Sequence, residues 1–301
     1  MKAGYAQEMI TPSLERPVYL AGFGNNRRAE SVHDDLTVRV LSIWTEAACL
    51  CLCALDLIGF FRADVQEVIR QIHEVQPDLQ VVIASTHTHH GPDTIGLWGP
   101  DRKTSGVDAA YMRELKQKTV AAILASLEYL KPAELKAASI HVPGVAKNNR
   151  DPEIIDDELT LASFETPDRQ ALATVAIFPC HPETLWEMNP QITADYPGYL
   201  RDEIERITGA PCIFFSGALG GMMTPDVQDH SFAEAEAMGQ KLAKEGLEAL
   251  THAEPQPVPV FIQMEKKELE VRLTNILYKV AFRRKLLPDA LVRGRLTSES
   301  A

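Results

Sequence analysis

The chain has 301 residues, 45% of them hydrophobic and 24% charged, which is enough apolar material for one large core or two moderate ones. Its 30 basic and 42 acidic side chains give a formal charge of -12 without a long Lys/Arg cluster, so we expect no nucleic-acid partner. No run of about 18 uncharged apolar residues occurs, and the N-terminal stretch lacks the apolar run of a secretion signal. We therefore expect a soluble, cytoplasmic protein without a transmembrane segment.

The predicted elements begin with two β-rich runs, 36–45 and 48–58, whose short connection predicts a hairpin. Apolar residues three and four apart then predict a helix over 63–76, followed by a short strand over 79–85 and a long helix over 108–130. Further strands are predicted at 134–142, 158–165, 171–179 and 211–217, and further helices near 196–207 and 231–250. This alternation is too irregular for an eightfold barrel, so we expect an α/β fold of mixed β-sheets layered with α-helices.

Three cysteines, Cys49, Cys51 and Cys53, alternate along one predicted strand and therefore share a face. A metal site is one interpretation of this pattern. Ligands on a single strand surround an ion poorly, however, and no histidine lies beside them. Buried free thiols are therefore the favoured interpretation.

Three segments rich in His, Gly and Pro come directly after predicted apolar strands. Side chains that carry out chemistry often lie where strands end in loops, because the backbone can turn them there toward a common point. The three segments are VVIASTHTHHGPD (81–93), AIFPCHPETL (176–185) and FFSGALGGMMTPD (214–226). We expect their ends to converge on one rim of the fold.

The histidines of these segments predict a zinc site. Zinc binds neutral imidazole at roughly 2.0–2.1 Å, and catalytic zinc usually takes three protein ligands and a water. His87 and His181 would be two of the ligands, and His89 would share the face of His87 if the strand continued, while His90 would point away. The alternative is that these histidines only hydrogen-bond to backbone groups. An HxH at one strand end joined by a His-Pro at another favours the metal.

The neighbours of the HxH motif distinguish between metallohydrolase families. A metallo-β-lactamase-like site would continue as HxHxDH, but Gly91 and Pro92 stand in the last two places. The segments VHDDLTVRVLSI, LDLIG, THTHHGPD, NNRD, FPCHPETL and ADYPGYLRDEIE occur in that order. Together they resemble the N-terminal catalytic domain of the neutral/alkaline ceramidases and their shorter bacterial relatives, from about residue 4 to 275.

The resemblance implies a ceramidase-like catalytic domain, with zinc as its cofactor, that hydrolyses the N-acyl amide bond of ceramide or a related small N-acyl or ester substrate. It implies that His87 and His181 are zinc ligands, and that His89 steadies the substrate or the developing oxyanion. Arg150, in the family's NR segment, would lie close to the reacting amide. Gly22, in LAGFG, would let the backbone approach the substrate.

Two catalytic assignments have alternatives. Where the family has a serine in a GDVSPN-like segment, this chain reads GGMMTPD, so Thr224 would contact the substrate or would only tie down the turn before Pro225. Arg150 could equally form a surface ion pair with Asp151 or Glu153.

The family's remaining zinc ligands, a glutamate and a tyrosine, come from a downstream segment, whereas this chain ends at VRGRLTSESA. Candidate replacements for the missing carboxylate are Asp34, Asp35, Glu183 and Asp226. We expect one catalytic domain over 1–274 and a basic amphipathic tail over 275–301, truncated before the rest of the family domain. The alternative function is a catalytically silent relative that binds a ligand or a partner.

Overall fold

The computed structural model describes residues 1–256, 264–265, 267 and 275–284. The strands are β1 (Lys2–Met9), β2 (Ser31–Val32), β3 (Thr37–Trp44), β4 (Cys49–Leu55), β5 (Gln80–Ser85), β6 (Lys131–Pro132), β7 (Glu134–His141), β8 (Ala146–Asn148), β9 (Glu158–Glu165), β10 (Ala171–Phe178), β11 (Gln191–Ile192), β12 (Cys212–Ser216) and β13 (Met223–Pro225). The helices are α1 (Arg62–His73), α2 (Ala109–Glu128), α3 (Tyr196–Thr208), α4 (Phe232–Thr251) and α5 (Ile276–Arg283).

Two mixed sheets form the centre of the fold. The first has the strand order β5-β4-β3-β1-β6, and the second has the order β12-β10-β9-β7. Each sheet contains one parallel pair, β4 with β5 and β10 with β12. A parallel pair needs a crossover connection, and helices α1 and α3 supply the two crossovers. The predicted α/β fold with mixed, helix-layered sheets is confirmed.

Three apolar clusters separate four layers of structure. One lies between the first sheet and helices α1 and α2, and another between the second sheet and helices α3 and α4. The third lies between the two sheets and includes Leu41 and Ile213, both fully buried. Because β3 is covered on both faces, its successive residues, such as Val40 and Leu41, belong to different clusters. This double burial explains the nearly continuous apolar run that identified the strand.

A buried ion pair joins the two halves of the fold. Asp56 follows β4 of the first sheet, and Arg201 lies on α3, which covers the second sheet. The guanidinium donates to both carboxylate oxygens at 2.7 and 3.0 Å, and the Thr37 amide and hydroxyl also donate to Asp56. Burial alone would raise the pKa of Asp56, but Arg201 outweighs it and the pKa lies below its usual range. Asp56 is therefore held as a carboxylate.

The predicted elements agree closely with the structure. The hairpin of β3 and β4, the helices and the main strands lie where the periodicity indicated, whereas β1 was missed. Cys49, Cys51 and Cys53 are buried free thiols in the core beneath the helices, as predicted. Helix α5 lies in the predicted tail, of which 285–301 falls outside the described residues. Within the described ranges, no helix is long and apolar enough to cross a membrane.

Candidate metal centre

Three histidines from two strand ends meet at one rim of the sandwich. His87 and His89 follow β5 of the first sheet, and His181 follows β10 of the second. The ring centroids lie 5.1 Å apart for His87 and His89, 5.2 Å for His87 and His181, and 5.6 Å for His89 and His181. The backbone amide of His89 donates to the carbonyl of Pro182 at 3.1 Å, which joins the two loops directly.

A loop, and not a continued strand, brings the HxH motif into place. Strand β5 ends at Ser85, and His87 has a φ of +69°, a conformation that L-residues rarely adopt. The alternation argument for His87 and His89 therefore does not apply, although both side chains reach the cluster. Trp186 and Met222, in the neighbouring loops, also have positive φ values. Such strained residues gather at functional sites, where the surrounding structure holds them in place.

Backbone carbonyls fix two of the three rings. His87 donates from Nδ1 to the carbonyl oxygen of Ile58 at 2.7 Å, and His181 donates from Nδ1 to that of Met223 at 2.5 Å. Because a carbonyl only accepts, Nδ1 carries a proton in each ring, and Nε2 is the nitrogen left for a metal ion. Burial, assisted by the neighbouring His89, lowers the pKa of His87 to about 4, so this ring is neutral at pH 7.

His89 faces a buried carboxylate. Its Nδ1 lies 3.1 Å from Oε2 of Glu183, although no described protein group forms a well-aligned hydrogen bond with either ring nitrogen. The other carboxylate oxygen, Oε1, accepts from the Thr224 hydroxyl at 2.8 Å. Burial alone would raise the pKa of Glu183, but His89 and Thr224 hold it below its usual range. The side chains of Glu183 and Thr224 thus form a buried polar pair that faces Nδ1 of His89.

Gly22 lies directly beneath the ring of His89. Its φ is +107°, and a Cβ added there would lie 2.5 Å from Cγ of His89. Phe23 covers the same ring edge-on, with the centroids 5.0 Å apart. The resemblance assigned Gly22 to the substrate, and the structure places it against a site histidine, where only a residue without a side chain fits.

Arg150 and Thr224 lie on adjoining segments. Strand β8, just before Arg150, pairs with β13, which contains Thr224, and the amide of Asn149 donates to the carbonyl of Met222 at 3.1 Å. The Arg150 side chain is exposed and forms no salt bridge with a described residue, so the alternative ion pair with its neighbours is not seen. Thr224 is buried in β13, and its hydroxyl donates a hydrogen bond to the carboxylate of Glu183.

Of the four candidate carboxylates, Glu183 is the one that contacts the histidine cluster. Asp34 accepts from the hydroxyl of Thr193, and the Asp35 carboxylate accepts from that of Thr11 at 2.8 Å. Asp226 pairs with Lys147 at 3.1 Å. The sequence shows that Glu183 lies two residues after His181. It does not show that the carboxylate contacts His89, which comes from another segment.

The predicted orientation of His90, away from the cluster, agrees with the structure. This ring is fully buried, with Nε2 3.5 Å from Asp195, and Nδ1 accepts from Asn189 at 3.2 Å. Burial, followed by the positive charge of Arg27, lowers the pKa of His90 well below its usual value. His90 therefore stabilises the loop from the protein interior. Its partners lie about a hundred residues away in the sequence, so no local pattern could reveal them.

His87, His89 and His181 could together hold a metal ion, since one ligand atom from each lies within 4.8 Å of the others. Neutral imidazoles suit zinc and other divalent transition ions. The carbonyl contacts of two Nδ1 atoms match the outer hydrogen bonds that orient metal-binding histidines. The residues present therefore fit a metal ion of this class.

Two solved ceramidase structures superpose on most of this chain. A solved ceramidase complexed with C2 superposes with a TM-score of 0.74 at 19% identity, over 83% of this chain and 44% of that one. The crystal structure of neutral ceramidase from Pseudomonas aeruginosa superposes with a TM-score of 0.73 at 20% identity, over 83% of this chain and 45% of that one.

This chain has the ceramidase fold. It spans less than half the length of either solved ceramidase. No family model matches the chain, and no curated protein matches it in sequence. The similarity to the ceramidases therefore rests on three-dimensional structure, in agreement with the resemblance carried by the short motifs.

Proposed function

We propose that this protein is a zinc-dependent amidohydrolase that cleaves the N-acyl amide bond of ceramide or of a related small N-acyl or ester substrate. The observation that carries the proposal is the meeting of His87 and His181 at the ends of strands from different sheets, each with Nδ1 bound to a backbone carbonyl. Both rings thus leave Nε2 as the nitrogen available to a metal ion, and one ligand atom of each lies within 4.8 Å of the other. The ceramidase fold supports the choice of an amide substrate.

In this proposal His87 and His181 hold the zinc. Bound there, zinc would supply a Lewis acid for the amide carbonyl and would lower the pKa of water to about 7. Glu183, two residues after His181, is a buried carboxylate beside His89. The burial of the cluster strengthens electrostatic interactions between these groups and a substrate, because little water screens them.

Charge develops on the substrate oxygen when an amide is attacked, and this chain offers two groups to stabilise it. His89 borders the same space as the two zinc-binding rings, and after taking a proton from the attacking water it would donate to this oxygen as an imidazolium. Arg150 is exposed on the adjoining segment after β8, where its guanidinium is free of a salt bridge to the described residues. Removing one such donor typically costs about 10²–10³ in rate.

Zinc content and turnover test this function together. The purified chain is loaded with zinc, desalted and analysed for bound metal, and hydrolysis of a fluorogenic N-acyl sphingosine is followed before and after chelation. We expect about one zinc per chain and turnover that chelation removes and added zinc restores. Less than about a tenth of a zinc per chain, with no turnover, would instead support the catalytically silent relative that binds a ligand or a partner.

A further inference from the structure

We propose that Glu183 is a positioning residue for His89, and that Thr224 acts on the site through Glu183 instead of through the substrate. This inference rests on the proposed function for its effect on rate, but the contacts on which it depends are independent of any substrate. It concerns a His89–Glu183–Thr224 chain that links the two loops of the histidine cluster with strand β13.

Glu183 Oε2 lies 3.1 Å from Nδ1 of His89, on the side of the ring that corresponds to the carbonyl contacts of His87 and His181. A carboxylate only accepts, so its favourable partner is an Nδ1–H. All three rings of the cluster would then carry the proton on Nδ1. His89 would keep its Nε2 lone pair, as His87 and His181 do.

Glu183 and Thr224 are 6% and 3% exposed, and a buried carboxylate is costly unless nearby groups compensate it. The Thr224 hydroxyl satisfies Oε1, which leaves Oε2 for the imidazole. The ring of His89 is the described group that faces Oε2.

No other group among the described residues orients His89 by hydrogen bonding. Gly22 and Phe23 confine the ring sterically, but no described group bonds to Nε2. Steric contact fixes the plane of a ring and leaves its tautomer free. The carboxylate of Glu183 is therefore what would select between the two tautomers.

Glu183→Gln tests the proposal because glutamine has the same shape, and its amide can donate to Nδ1 as well as accept from it. Glu187→Gln is the matched control, since Glu187 is an exposed carboxylate of the same loop and the variant changes the charge equally. We expect Glu183→Gln to keep about one zinc per chain and a KM within about twofold, while kcat on the fluorogenic N-acyl sphingosine falls about 10- to 100-fold. Glu187→Gln should leave all three quantities unchanged.

A second measurement needs no turnover. Long-range ¹H–¹⁵N spectra of the metal-free protein report the tautomer of each imidazole, and His89→Gln identifies the signals of this ring. We expect the Nδ1–H tautomer for His89 in the native chain and in Glu187→Gln, and a shift toward Nε2–H in Glu183→Gln. Thr224→Val should shift the tautomer less than Glu183→Gln does. Thr224→Ser, which keeps the hydroxyl, should keep the native tautomer.

The two measurements separate this inference from the proposed function. If the native chain has no turnover, the tautomer shift alone still supports the role of Glu183. An unchanged tautomer in Glu183→Gln would overturn the inference, whatever the activity. Loss of zinc from Glu183→Gln, with the fold intact by circular dichroism, would also overturn it, because Glu183 would then act on the metal and not on His89.

Discussion

The imidazole rings of His87 and His181 lie with their centroids 5.2 Å apart, although they follow strands of two different sheets. Each ring is held by a carbonyl of its own half, that of Ile58 in the loop after β4 for His87 and that of Met223 in β13 for His181. The packing of the two sheets therefore determines whether the two imidazoles are close enough to bind one metal ion. A metal ion bound between them would also join the two halves of the sandwich.

His87→Ala and His181→Ala should each abolish zinc binding, because each removes one of two oriented nitrogen ligands. The measurement is zinc per chain after loading and desalting. His252→Ala is the control, since His252 is exposed after helix α4 and belongs to no cluster. Retention of about one zinc per chain in either cluster variant would contradict the assignment.

His89→Ala should keep the zinc but lower kcat by about 10²–10³, since it removes the imidazole that would stabilise the developing charge and leaves His87 and His181 in place. Metal content and turnover are measured on the same preparation. If His89→Ala loses zinc as readily as His87→Ala does, then His89 is itself a ligand, and the division of roles among the three histidines is wrong.

Gly22→Ala should displace the ring of His89, because the new Cβ would lie 2.5 Å from its Cγ. We expect the positive φ to cost about 1–3 kcal/mol of unfolding free energy, and the displaced ring to lower kcat about 10²-fold. Gly144→Ala is the matched control, since Gly144 also has a positive φ but has open space around it. Equal kcat in the two variants would show that the contact with His89 is unimportant for rate.

Asp56→Asn should lower the free energy of unfolding by about 3–5 kcal/mol, because it leaves the buried Arg201 guanidinium without its charged partner. Urea unfolding at pH 7 measures the loss. Glu114→Gln breaks the largely exposed pair with Lys118 and should change the same quantity by less than about 0.5 kcal/mol. A loss of that small size in Asp56→Asn would mean that water replaces the ion pair.

The same pair predicts how stability depends on pH. The pKa of Asp56 is lower in the folded chain than in the unfolded one, so the ion pair contributes its full stability above the usual aspartate range near pH 3.9. This contribution is lost as the pH falls below that range and through the folded pKa. We expect the difference in unfolding free energy between the native chain and Asp56→Asn to be constant from pH 7 to about 5, and to shrink below about pH 4. A constant difference down to pH 3 would contradict the lowered pKa.

The main elements could be predicted from the sequence because their apolar residues repeat with the period of a helix or fill both faces of a strand. Strand β3, buried on both sides, and helix α1 are examples. Strand β1 could not be predicted in this way, since KAGYAQEM has few large apolar residues. It is a strand because it pairs along its whole length with β3, and because Gly4 lets helix α2 approach closely.

The local sequence also determined which side chains the site contains, because His87, His89 and His181 lie in recognisable motifs directly after predicted strands. Only the tertiary structure decided how they are arranged. The strand ends before His87, whose backbone is left-handed, and the packing of the sheets brought His181 to it. The partners of Glu183 come from two other segments, so no local pattern could reveal them. Periodicity reports which face of an element is buried, whereas contacts between distant segments depend on how the elements pack.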